Sequence, residues 1–121
     1  MAARSVHVKR VYEPSSRADG LRVLVDRLWP RGITKQKAKV DLWLKALAPS
    51  NELRKRFHHD PELWPDFRKA YAKELNEPEA REALKELRGQ LMERPVTLLF
   101  AARDEEHNNA VALKQFLLKK R

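Results

Sequence analysis

The chain contains no cysteine, which excludes disulfides, thiolate nucleophiles, iron–sulfur clusters and cysteine-bound zinc together. Its three glycines, Gly20, Gly32 and Gly89, are too few and too scattered for either common glycine-rich phosphate loop. An anion would therefore have to be held by side chains and helix N-termini. No apolar run approaches the ~20 residues that span a bilayer. Near the N-terminus Arg4, His7, Lys9 and Arg10 interrupt the apolar residues, where a secretory signal would keep an unbroken stretch. A cytoplasmic protein with no membrane partner and no cofactor is expected.

What the chain has in excess is positive charge, and it is unevenly placed. Residues 1–60 hold 14 Lys and Arg against 6 Asp and Glu, whereas residues 61–121 hold 12 against 11. Much of the excess lies in Arg27, Arg31, Lys35, Lys37 and Lys39, with a second cluster at Arg54, Lys55 and Arg56. Either the basic half meets a nucleic acid or a smaller anion, or it is a solvated face that serves solubility. At 121 residues the chain suits one small domain, residues 1–121, with a substantial core.

Two apolar runs read as strands buried on both faces: Leu21–Val25, broken only by Arg22, and Val96–Ala102. Ser5–Tyr12 alternates at Val6 and Val8 and reads as a peripheral strand. The polar connection from Glu13 to Gly20 is short for a parallel crossover, so the first two strands are expected to be antiparallel neighbours unless the first is displaced in the sheet. Thr34 is expected to cap a helix running to about Leu47, and Ser50 a short one carrying Leu53 and Phe57. Asp60-Pro61 opens the next, with Trp64, Phe67, Tyr71 and Leu75 inward. From Pro78 to Glu93, Ala80, Leu84, Leu87 and Leu91 keep the helical period. Asp104 is expected to cap a last helix, with Glu105 and Glu106 in its first turn and Lys119, Lys120 and Arg121 at its end. The sum is an α/β fold with about three strands in a mostly parallel sheet, packed with four to six helices.

Both core strands exit into charge: Asp26-Arg27-Leu28-Trp29-Pro30-Arg31 after the first, Arg103-Asp104 after the second. In open α/β sheets ligands bind outside the carboxyl ends of the strands. If the two are parallel neighbours, their tips bring together Asp26, Arg27, Trp29, Arg31, Arg103, Asp104, His107 and Asn108, a set suited to a phosphate- or carboxylate-bearing ligand. His107 and Asp26 are the candidates for proton transfer. Structural roles compete at each position. Asp26 and Arg27 could pair with Arg103 and Asp104 as a salt-bridge lock, Trp29 could plug the sheet end rather than stack on a ring, and His107 could be a hydrogen-bonded core-edge residue. The alternative of a non-catalytic nucleic-acid module rests on Lys35, Lys37, Lys39, Arg54, Lys55 and Arg56. His58-His59-Asp60 invites a metal reading, but adjacent residues seldom point at one centre, so no metal site is expected.

The runs VLVDRLWPRG, DLWLKALAPSNELRKRF and LLFAARDEEHNNAVAL, in this order and spacing, resemble the short YeaO-like branch of a large family of uncharacterised prokaryotic domains. The resemblance covers nearly the whole chain and implies a small cytoplasmic α/β domain with no established reaction. Longer relatives in the wider family carry a Cys near the end of the last strand and a Cys-His-Arg run at the start of the following helix. Those places fall here on Phe100 and on Asn108-Asn109-Ala110. Any thiol chemistry of the longer proteins therefore has no counterpart in this chain.

Overall fold

The computed structural model describes residues 5–57 and 60–119; His58 and His59, and the Lys120 and Arg121 expected at the last helix end, lie outside them. The run VTLLF forms β4 (Val96–Phe100), with all five residues buried. It lies between two parallel neighbours, β1 (Val6–Arg10) and β2 (Leu21–Leu24), and β2 in turn pairs in parallel with the two-residue β3 (Leu42–Trp43). The order across the sheet is β1-β4-β2-β3. The two apolar runs are thus parallel neighbours, with Leu21 opposite Val96 and Leu24 opposite Leu99.

The first strand is displaced and parallel, not an antiparallel neighbour of the second. A helical crossover is unnecessary, because a connection of about ten residues can span roughly 33 Å when extended, well beyond the ~17 Å of a five-residue strand. The return ends in a 3-10 turn, Arg17–Asp19, and then Gly20. Gly20 has φ +64°, and a Cβ there would lie 2.2 Å from the Pro95 carbonyl oxygen. That same oxygen accepts the Leu21 N–H, so the start of β2 is fitted closely against the entry to β4.

Strand alternation divides the core. Val23, Val25, Leu98 and Phe100 face one side and pack with α2 (Asn51–Phe57), α3 (Trp64–Glu74), α4 (Pro78–Leu91) and α5 (Asn109–Lys119). Leu24 and Leu99 face the other, with Val11, Ala38, Trp29 and Trp43. The helix starts follow from local chemistry. Ser50 Oγ accepts the Leu53 N–H, and Asp60 accepts the Glu62 N–H ahead of the Pro61–Leu63 turn that leads into α3. Ser50 is itself held through its N–H and hydroxyl by the Glu74 carboxylate. Tyr71, fully packed on α3, donates its hydroxyl to the Leu47 carbonyl.

Two expected helices are shorter than their patterns. Thr34 does cap a helix, accepting the Lys37 N–H, but α1 spans only Lys35–Ala38 and closes on Lys39 in the left-handed region. The chain then extends into β3, because the open edge of β2 offers pairing that a continued helix could not use: Asp41 N–H reaches the Arg22 carbonyl, and Asp41 Oδ2 accepts the Arg22 N–H. At the other end Asp104 caps only a turn, accepting from Glu106 and His107. The cap of α5 is Asn108, whose Oδ1 accepts the Val111 N–H at 2.9 Å. Asn108→Ala is therefore expected to cost about 1 kcal/mol and Asp104→Ala less, a difference that urea denaturation of the two variants measures.

Candidate functional site

The stretch after β2 folds over the carboxyl end of the sheet and walls a cleft of about 380 Å³ with Asp26, Arg27, Trp29, Arg31, Arg54 and Asn109 among its lining residues. Asp26, two residues beyond β2, is half-buried in its lining. Its Oδ2 accepts the Ala101 N–H at 3.0 Å, just past the end of β4, and its Oδ1 accepts from Asn109 Nδ2 at 3.0 Å at the start of α5. The same amide donates to the Val25 carbonyl, and the Asp26 carbonyl accepts the Trp43 indole N–H. One carboxylate thus ties together the ends of β2 and β4 and the head of α5.

Burial pushes the Asp26 carboxyl above its ordinary range, and the hydrogen bonds from Asn109 and Ala101, with the positive charge of Arg54, oppose that shift without cancelling it. Arg54→Ala removes a charge that favours the carboxylate, so the Asp26 midpoint is expected to move further up. Carbon-detected NMR titration of the side-chain carboxyl reads the change; a downward move would contradict this electrostatic account.

The cationic rim is loosely held. Arg27 is exposed, and its guanidinium makes one long contact, 3.5 Å, to the Pro49 carbonyl. Arg31 is exposed and is anchored by its backbone, whose carbonyl accepts the Tyr12 hydroxyl at 2.8 Å. Arg54 contacts Asn51 at 3.4 Å. Trp29 is half-buried: its ring meets Trp43 edge-on at 5.6 Å and its N–H donates to the Ile33 carbonyl. It is packed into the sheet end while also lining the cleft.

The rest of the expected set stands apart. Arg103 is exposed and, with Asp104, His107 and Asn108, does not line this cleft. Asp104 is held below its ordinary range by the Glu106 N–H and by the His107 N–H and ring. His107 Nδ1 lies 3.1 Å from Asp104 Oδ2, and its ring meets Trp64 edge-on. The ion pairs among the described residues are Lys9–Asp19, Arg22–Asp19 and His107–Asp104, so Asp26 and Arg27 form no salt-bridge lock with Arg103 and Asp104. Of the residues that line the cleft, Tyr12 and Asn109 are not among those the sequence singles out, and Arg54 is singled out only for the nucleic-acid alternative. Arg54 was visible only as part of a basic run, and Asn109 only as one of two adjacent asparagines. Of the two basic clusters, Lys35, Lys37 and Lys39 belong to α1 and its end, on one face of the sheet, and Arg54, Lys55 and Arg56 to α2 on the other.

A small α/β sheet with a basic cleft at its carboxyl end is a scaffold shared by many functions. Residues 5–121 match the family model described as the inactive DUF488-N3 subclade, and the chain belongs to that family. It is 42% identical over 113 residues to the uncharacterized protein YeaO of Escherichia coli, covering 93% of this chain and 96% of that one. It is 44% identical over 112 residues to the uncharacterized proteins Mb3100c of Mycobacterium bovis and Rv3073c of Mycobacterium tuberculosis, covering 93% of this chain and 92% of each relative. No solved structure matches. Among the described residues no helix is long and apolar enough to cross a membrane.

Proposed function

We propose that the chain is a non-catalytic binding module for a small anion, a phosphate or carboxylate seated on Arg27, Arg31 and Arg54. The observation that carries this reading is that three guanidiniums line one cleft and none is paired with a carboxylate among the described residues. Apart from the long Arg27 contact to the Pro49 carbonyl and the Arg54 contact to Asn51, their donors are open to an anion by charge-assisted hydrogen bonds. Binding without turnover is favoured because the chain has no thiol and His107 lies outside the cleft. The family's description as inactive agrees. A cytoplasmic location belongs to the same proposal.

The nucleic-acid alternative is weaker on geometry. Its two basic clusters sit on opposite faces of the sheet, so a phosphate backbone lying on one face would meet only one of them. The test is thermal unfolding with inorganic phosphate or acetate. At about 100 times Kd a bound ligand adds about 2.7 kcal/mol, which raises Tm by several degrees in a domain of this size. An unchanged Tm with every small anion, together with a salt-sensitive gel shift on DNA or RNA, would transfer the function to the alternative.

A further inference from the structure

Beside the basic cleft is a second, smaller hollow of about 40 Å³ walled by Phe57, Trp64, Phe67 and His107. The two share Pro49, Arg54 and Asn109 as walls, so they are adjoining compartments of one surface. The small one is aromatic. Trp64 and Phe67 stack at 5.6 Å with an interplanar angle of 18°, Phe57 meets Phe67 edge-on at 5.9 Å, and the His107 ring meets Trp64 edge-on at 5.3 Å. Trp64, Phe67 and His107 are each only half-buried, so ring surface is presented to the hollow.

We infer that the cleft takes an anion carrying a short planar apolar group, the charge on the arginine rim and the ring edge in the hollow between Phe57, Trp64 and His107, with Arg54 bordering both halves. This rests on the anion reading and extends it to the ligand's class: a monocyclic aryl phosphate or aryl carboxylate. Size sets the class. A hollow of ~40 Å³ is only a few times the space one water needs, which admits the edge of a single ring and not a fused bicyclic base. Aromatic walls favour that ring through edge and face contacts that a bare anion cannot make.

The experiment compares two pairs of probes by titration calorimetry: inorganic phosphate with phenyl phosphate, and acetate with phenylacetate. The phenyl group is expected to strengthen binding by about tenfold for at least one pair. That gain should vanish in Trp64→Leu while the parent anion binds as before. Parent anions that bind with no gain from the ring, or a gain that survives Trp64→Leu, would overturn this inference and leave the anion reading standing. If no probe binds, the anion reading falls and takes this one with it. Because Trp64 is part of the packing, a second measurement uses the unaltered chain: nuclear Overhauser contacts are expected from the phenyl protons to the rings of Trp64 and His107. Binding without those contacts also overturns it.

Discussion

Asp19→Ala is expected to lower stability by about 3–5 kcal/mol, the loss that follows when one member of a buried ion pair is removed and its partner is left behind. Asp19 sits at the amino end of the sheet, 6% exposed, and Arg22, on β2, is 3% exposed. Arg22 Nη1 reaches Asp19 Oδ2 at 2.6 Å, while the rest of its guanidinium donates to the Ala38 and Lys39 carbonyls. Asp19 also accepts from Lys9 on β1 and from the Ser16 N–H, and its carbonyl takes the Thr97 hydroxyl of β4. The cluster therefore joins three strands and the end of α1. Removing the carboxylate leaves a buried guanidinium without its counter-charge. Against the 5–15 kcal/mol typical of a domain, that is a large fraction, and urea unfolding that showed less than about 1 kcal/mol would mean the site is wetter than its burial implies.

The same cluster gives a pH signature. Desolvation works to raise the Asp19 pKa, but the hydrogen bonds from Ser16, Lys9 and Arg22 and the Lys9 charge outweigh it and hold the carboxyl down to about 2 from 3.8. A carboxyl depressed in the folded state contributes stability that is fully present above its unfolded pKa and is lost as pH falls through the folded one. The stability difference between the unaltered chain and Asp19→Ala should therefore be constant near neutrality and shrink between about pH 4 and pH 2.

That cluster was not legible in the sequence, and the reason is physical. Arg22 looked like a lone interruption of an apolar strand and Asp19 like half of a turn signal; only the displacement of β1 across β4 brings Lys9 and the turn to the same place. The two core strands were legible because continuous apolar runs between charged tips have few other uses. The two-residue β3 was not, since Ala38, Leu42 and Leu47 suit a helical stripe as well as a turn, strand and turn. Among the residues lining the cleft, Asp26 was legible because it follows a strand end. Asn109 was missed in favour of Asn108 because successive helical residues point about 100° apart, so a start shifted from Asp104 to Asn108 decides which asparagine caps α5 and which meets Asp26.

Arg27→Ala and Arg31→Ala are each expected to weaken binding of inorganic phosphate by about 10–100-fold, the worth of one charge-assisted hydrogen bond of roughly 1.5–3 kcal/mol, while leaving stability within about a kilocalorie. Stability changes little because these side chains do little in the folded chain. Arg27 makes one 3.5 Å contact to a carbonyl, and what anchors Arg31 is its backbone oxygen on Tyr12, which alanine keeps. A structural lock would behave in the opposite way, since truncating one partner would strand a charge on the other. Arg103→Ala is the control: it removes the same unit of charge from an exposed residue outside the cleft, so it should leave phosphate affinity nearly unchanged at physiological salt, where screening acts over ~8 Å. If Arg103→Ala weakens binding as much as the other two, the anion is drawn by the overall positive charge and not by the cleft. If Arg27→Ala and Arg31→Ala both lose several degrees of Tm with no ligand present, the stretch after β2 is part of the scaffold and the binding site lies elsewhere.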